Sequence, residues 1–430
     1  MRFSDSVPEA DLPKGVRDFL PLKAAKVEYL QQQLQQVYSA WGFRPVITPQ
    51  LEFLDVLERG MGDELRDRVF RFDDRQSGRL LTFPPDMTPQ IARIAATRMR
   101  ELPLPLRLSY SGRVLRHTEQ QAGKDRDIFQ SGVELIGLDS PEADAEMIAM
   151  AIEALAAVGA EDFTVDIGQV EFFRGVMDGL PLAPKAANQV ADAILRKDSS
   201  ELKQLLDESS LTESARAEIL ALPRLYGGRE VIDRAAKAVS NERSQRALDG
   251  LAQVLDILEV YGVLEHVTID LGELRGLNYH TGITFQGFLS GVGRAVCSGG
   301  RYNNLMSNYG LDAPATGFTF SLLHLLFALD KVLDGRIEPH CDLLIFSTGR
   351  NLRSAQKLAC RLRKLGYSVS RDILDRSRED ALAYARQLDY RYLAVVEDDD
   401  QDIELTSLRS GQQKNLSWEE ICQPGIDLQL

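Results

Sequence analysis

Leu274-Arg275-Gly276-Leu277-Asn278-Tyr279-His280-Thr281-Gly282 places a cation, a phenol, an imidazole and two glycines within one short stretch. Glycine lets backbone come close to a planar ligand, and arginine and aromatic side chains supply groups that would hold one. Cys297-Ser298-Gly299-Gly300-Arg301-Tyr302-Asn303-Asn304-Leu305 repeats the combination further along. Taken alone, each stretch fits a second reading equally, in which the glycines serve turns and the tyrosines fill a core. His280 suits a base or a hydrogen-bond partner near neutral pH. No carboxylate is paired with it in the sequence, which favours a passive place in a pocket over catalysis.

Working outward toward the N-terminus, Phe83-Pro84-Pro85-Asp86-Met87-Thr88-Pro89 sets a carboxylate and a hydroxyl two residues apart on a chain stiffened by prolines. An acid fixed in this way can bind the ammonium group of a small ligand, although a structured turn needs nothing more than the same residues. Next come Gly112-Arg113-Val114-Leu115-Arg116, then Glu119 to Arg126, then Phe129-Gln130-Ser131-Gly132-Val133-Glu134. Two strand-like segments around this basic loop would bring Arg116, Lys124 and Arg126 to one anionic site, or would form a solvated charged hairpin.

These segments, in this order, resemble histidyl-tRNA synthetase across residues 11 to 335. The start Gly15-Val16-Arg17-Asp18-Phe19-Leu20-Pro21 is similar to that family's opening pattern, and Pro49 sits where its first motif places a dimer-interface proline. The resemblance implies that Asp86 and Thr88 bind the amino group of histidine, and that Arg116 is the arginine that meets an α-phosphate. Gln121-Ala122-Gly123 matches a loop over ATP, and Gln130 and Glu134 line the histidine site. Arg275, Tyr279 and His280 fall in one histidine signature, where the family has Asp for Asn278 and Tyr for His280. Tyr302 falls in the second. The implied fold class is α+β: a synthetase-like antiparallel sheet with flanking helices, a helical insertion and a small C-terminal α/β domain.

The resemblance fails where chemistry would be done. The family's third motif ends in a glutamate and an arginine that stacks on adenine, whereas Gly317-Phe318-Thr319-Phe320-Ser321-Leu322-Leu323-His324 offers Leu323 and an imidazole. A permanent planar cation has been lost. Thr118 and Glu119 stand where the second motif has Glu and Arg, so attraction for a triphosphate becomes repulsion.

A kept amino-acid pocket beside a broken adenylation site resembles the ATP phosphoribosyltransferase regulatory subunit family. Pro85 to Arg93, Gly132 to Gly137 and Leu222-Pro223-Arg224-Leu225-Tyr226-Gly227-Gly228 are typical stretches. This resemblance implies a subunit with no catalytic residues, no cofactor and no metal, which takes histidine as its effector. It also implies a short catalytic ATP phosphoribosyltransferase as partner, in the first step of histidine biosynthesis, and a homodimer through the first-motif interface. The alternative is a divergent histidyl-tRNA synthetase or another amino-acid-adenylating paralogue, for which the retained Arg116 and Arg275 speak.

Composition bounds these readings. A length of 430 residues exceeds the usual size of one hydrophobic core. The net charge of −14 argues against an affinity resting on phosphate neutralisation, and so against tRNA. Cys297, Cys341, Cys360 and Cys422 form no C-x-x-C pair, which suggests neither a disulfide framework nor a zinc site. No stretch approaches roughly 18 uninterrupted apolar residues, so no membrane span is expected and the cytoplasm is the expected location.

The expected domains are a core over 1–335, with an all-helical insertion at about 172–262, and an α/β domain over 341–430 that looks like a worn anticodon-binding domain. The latter has 13 Lys and Arg against 15 Asp and Glu, a poor surface for RNA. Helical spacing of Val27, Leu30, Leu34, Val37 and Trp41 predicts a first helix. Ser140, Pro141 and Glu142 predict the capped start of another that ends at Gly159. Strands are expected at 44–49, 80–83, 106–110, 133–136, 163–167, 267–271, 281–288, 294–298, 343–346, 367–370 and 393–396, with a helix after Gly317.

Overall fold

The computed structural model describes residues 11–117, 125–178, 180–274, 276–277, 279–334, 336–337, 341–347, 352–374, 376–396, 402–421 and 423. The chain divides into two compact units, Met1–Arg336 and Ile337–Leu430.

The first unit is built on a nine-stranded sheet. Its order runs Arg44–Pro45, Leu106–Leu115, Asp127–Ile136, Ala315–Ser321, Cys297–Arg301, Ile283–Leu289, Phe163–Gln169, Val267–Asp270 and Tyr226–Gly227. The central pairings are antiparallel, with parallel pairs only where Arg44–Pro45 meets Leu106–Leu115 and where Phe163–Gln169 meets Val267–Asp270. The proline-broken stretch from Arg44 thus lies at the sheet edge, where a missing N–H breaks no ladder. Only two of its residues pair.

The helix Pro21–Ala40 buries Val27, Leu30, Leu34 and Val37 along one face, each burial stabilising by about 1.5–3 kcal/mol. Trp41 lies beyond its end, and Gly42 follows with φ +80°, a conformation that favours glycine. Pro141–Ala157 begins at the expected place, with Glu142 and Asp144 in the first turn. The capping bond does not form: Ser140 holds the N-cap position, but its side chain bonds no helix N–H. Small residues let this helix sink almost entirely into the core, so burial reaches far beyond Ile148, Ile152 and Leu155.

The helix expected after Gly317 is present as Leu322–Asp334, and Gly317 itself lies in the strand Ala315–Ser321 before it. Two expectations need correction. The insertion is not all-helical, because Tyr226–Gly227 adds an edge strand to the sheet among the helices from Val170–Met177 to Glu242–Tyr261. In the second unit the sheet has five strands: Val369–Arg371, Leu343–Ser347, Tyr392–Val396, Asp402–Ser407 and Gln413–Ser417. The last two are antiparallel additions that the alternating α/β pattern did not include. Side chains of Leu343–Ser347 alternate between two apolar clusters, Leu343 and Ile345 on one face and Leu344 and Phe346 on the other.

Among the described residues, no helix is long and apolar enough to cross a membrane. Among the same residues no cluster of His, Cys, Asp and Glu could hold a metal ion, and Cys297, Cys341 and Cys360 are unpaired.

Candidate functional site

Strand register assembles the site. Across four neighbouring strands, Glu134 pairs with Gly317, Gly317 with Gly300 and Gly300 with Thr284. A side chain at Gly317 would place its Cβ 2.0 Å from Glu134 Oε2 and 2.4 Å from the Val133 carbonyl oxygen. Glycine is therefore required for the Glu134 carboxyl to lie across the sheet. Gly299 and Gly300 meet backbone as closely, so the floor of the resulting cavity is largely main chain.

The cavity has a volume of about 680 Å³, and its lining includes Asp86, Thr88, Glu134, Tyr279, His280 and Tyr302. Glu134 is fully buried; its Oε1 accepts from the Tyr110 hydroxyl at 3.2 Å and its Oε2 from the Tyr302 hydroxyl. Burial pushes its carboxyl up to about 8, against the lowering effect of those hydroxyls, and the nearby Asp86 adds to the rise. It carries a proton at pH 7. Burial drives His280 the other way, down to about 4, so its ring is neutral. His280 Nδ1 lies 3.3 Å from the Arg301 carbonyl oxygen, which fixes the proton on Nδ1. Arg174 donates to the backbone carbonyls of Leu277 and His280, holding this loop from the helix Val170–Met177.

Tyr279 stacks on Tyr302 with ring centroids 5.4 Å apart. Among the described residues its buried hydroxyl has no hydrogen-bond partner. A buried hydroxyl left unpaired costs about 1–3 kcal/mol, so a ligand that bonded to it would recover that cost.

Asp86 opens the helix-entry turn of Thr88–Arg98 and stands between this cavity and a second one of about 290 Å³. Its Oδ1 accepts from the Thr88 N–H at 3.1 Å, and its Oδ2 from Arg116 Nη2 at 2.8 Å and Gln130 Nε2 at 3.2 Å. Gln130 Oε1 in turn accepts from the Met87 N–H at 3.1 Å. The second cavity is lined by Arg68, Asp86, Arg116, Gln130, Arg294 and His324, among others. His324 donates from Nδ1 to the Ala295 carbonyl at 2.8 Å, and Leu323 beside it is buried.

The structure therefore brings Asp86, Thr88, Gln130, Glu134, Tyr279, His280 and Tyr302 together. Arg116 joins them as the ion-pair partner of Asp86. Arg126 lies beside Arg116, whose N–H donates to its carbonyl oxygen at 2.9 Å, but it lines neither cavity. Arg275, Asn278, Lys124, the 121–123 loop, Thr118, Glu119 and Cys422 lie outside the described residues. Sequence reasoning missed Tyr110, which bonds to Glu134, and Asn188 and Asp192, which line the larger cavity from the helix Pro184–Leu195.

Comparisons with known proteins agree with this geometry. The histidyl-tRNA synthetase family matches residues 15–325. An ATP phosphoribosyltransferase regulatory subunit from Syntrophotalea carbinolica is 61% identical over 97% of this chain and 97% of its own length. A solved structure described as an ATP phosphoribosyltransferase regulatory subunit/histidyl-tRNA synthetase, from Bacillus halodurans, superposes with a TM-score of 0.80 at 28% identity, covering 91% of this chain and 99% of that one. Histidyl-tRNA synthetase from Nostoc sp. PCC 7120 has the same fold, with a TM-score of 0.81 at 23% identity over 96% of this chain and 99% of that one.

Proposed function

The chain belongs to the ATP phosphoribosyltransferase regulatory subunit family, and from that premise we propose that it binds histidine in the larger cavity and passes that occupancy to a separate catalytic subunit. As a regulatory subunit of ATP phosphoribosyltransferase it serves histidine biosynthesis. The joining of ATP to phosphoribosyl pyrophosphate takes place in the partner, a short-form phosphoribosyltransferase, and histidine restrains it through this chain.

The observation that carries the reading is the presence of Asp86 and Glu134 in the lining of one cavity, together with stacked tyrosines. The Asp86 carboxylate suits an ammonium group. The protonated Glu134 carboxyl can donate to the unprotonated nitrogen of a neutral imidazole, and the Tyr279 hydroxyl, unpartnered among the described residues, adds a further polar contact. Next to this, Leu323 and His324 supply neither a carboxylate nor a permanent cation for a nucleotide, which supports sensing over activation. Coupling between the cavity and a partner subunit typically amounts to ~1–3 kcal/mol.

The test is phosphoribosyl-ATP formation by the short catalytic subunit with and without this chain, and with and without histidine. Identical rates in all arms would sink the reading. Histidine-dependent pyrophosphate exchange by this chain alone would instead establish an adenylating enzyme.

The same reading includes a homodimer through the sheet edge at Arg44–Pro45. It is supported by Ile47, which is 95% exposed, and by Leu51, exposed beside it. Ile47→Asp should shift the sedimenting species toward monomer. Transfer RNA has no part in it, given the charge of −14.

A further inference from the structure

We propose that a third cavity, against the helix Glu242–Tyr261, is a binding site for a small zwitterion, an α-amino acid with an apolar side chain. It shares no lining residue with either of the two cavities that Asp86 divides, and it stands whatever the larger of those binds.

The cavity has a volume of about 480 Å³, within the usual range for small-molecule sites. Its charged lining is Asp139, Asp144, Glu171, Arg243, Arg246 and Arg301, three acids against three arginines. Most of these are consumed in pairs. The buried Arg301 holds Asp139 and Asp144, each at 3.0 Å, and Arg243 holds Glu171 at 2.7 Å. The groups left over set the ligand's chemistry. Arg246 has no ion-pair or hydrogen-bond partner among the described residues. Gln169, also buried, spends its Oε1 on the Glu171 N–H at 3.1 Å, and its Nε2 meets no acceptor among the same residues. Asp144 Oδ2 takes the Arg301 guanidinium, while its Oδ1 accepts no hydrogen bond there. Burial raises the Asp144 carboxyl against the lowering effect of Arg301 and the nearby Thr316, so a cation delivered to Oδ1 would offset that cost. Two uncommitted donors and one uncommitted acceptor, in a cavity of balanced charge, match a carboxylate and an ammonium group on one molecule.

The rest of that molecule meets an apolar wall. Ala247, Gly250 and Val254 follow one another along one face of the helix, and Ile283 lines the same cavity. Glycine is disfavoured inside a helix, and a Cβ at Gly250 would meet nothing within 4 Å, so no packing inside the chain calls for it. Its missing side chain keeps open the space that an aliphatic group would fill. Glu171 is shared with Arg174, which grips the carbonyls of Leu277 and His280, so the site lies one ion pair away from the loop that lines the larger cavity.

The experiment is calorimetric titration of the full chain with L-leucine, 3-methylbutylamine and 4-methylpentanoate, the last two being leucine without its carboxylate and leucine without its ammonium group. Leucine should bind, and each fragment should bind at least about 10-fold more weakly for want of one charge-assisted contact. R246Q should weaken leucine binding by about the same factor, and G250F, which fills the groove, should abolish it. No leucine binding at millimolar concentration overturns the proposal. So does a fragment that binds as well as leucine, or leucine affinity left unchanged in R246Q or in a folded G250F, which would place leucine elsewhere on the chain. Arg246 is exposed and unpaired among the described residues, so R246Q spares the fold and decides the matter even if G250F does not fold.

Discussion

On one side of Asp86, Glu134 is clasped by two tyrosine hydroxyls, buried against Gly317 of the neighbouring strand and near a pair of stacked rings; on the other, Leu323 and His324 line a cavity with three arginines and no tyrosine. In the first region the carboxyl is held by its neighbours, while the Tyr279 hydroxyl is left unpartnered among the described residues. The second has kept charge without keeping its ordered chemistry. If the larger cavity binds histidine as proposed, binding an amino acid and activating it are separable properties of one fold, because they would draw on residues on opposite sides of a single carboxylate.

The contrast breaks most visibly at the floor. Gly317→Val would drive a side chain into Glu134 and the Val133 carbonyl, costing about 1–3 kcal/mol of stability by urea unfolding and abolishing histidine binding by calorimetry. A stable variant with normal binding would mean that the floor does not shape the pocket.

Asp86→Ala should weaken histidine binding by about 1–3 kcal/mol, the cost of losing a charge-assisted bond. Across the same wall, His324→Ala should leave histidine affinity unchanged, as it breaks only a bond to the Ala295 carbonyl. Equal losses in the two variants would erase the distinction between the cavities.

A third prediction concerns pH. Glu134 rises from 4.5 to about 8 in the fold, so the native state binds more protons between those values, and stability falls as pH rises through that window. His280 falls from 6.5 to about 4, so its contribution grows with pH between 4 and 6.5 and opposes the first trend there. Above 6.5 only the Glu134 effect remains. Stability should therefore decline from pH 6.5 to 8 with a slope of up to about 1.4 kcal/mol per pH unit, and Glu134→Gln should flatten it.

Much of the fold was legible because the elements are long and periodic, as in Pro21–Ala40, or carry a Pro start, as in Pro141–Ala157. Tyr226–Gly227 was not, because two paired residues have no alternation to read. Gln413–Ser417 hid for a related reason: among its five residues only Leu416 is apolar. In the site, the motifs identified Asp86, Glu134 and Tyr302 individually. Their meeting depends on register across several strands, which local sequence does not encode. Tyr110 was missed because Leu106, Leu108 and Tyr110 read simply as the buried face of a strand. The available signal was that a buried phenol needs a partner for its hydroxyl.

The glycine floor also limits how the pocket can evolve. Gly299, Gly300 and Gly317 each meet backbone oxygen within 2.4 to 2.6 Å of where a Cβ would stand. Substitution there deforms the ladder before it can touch a ligand. New selectivity must be written on the walls, at Tyr279, His280, Asn188 or Asp192, and a saturation library should tolerate change at those positions while leaving three blank columns along the floor.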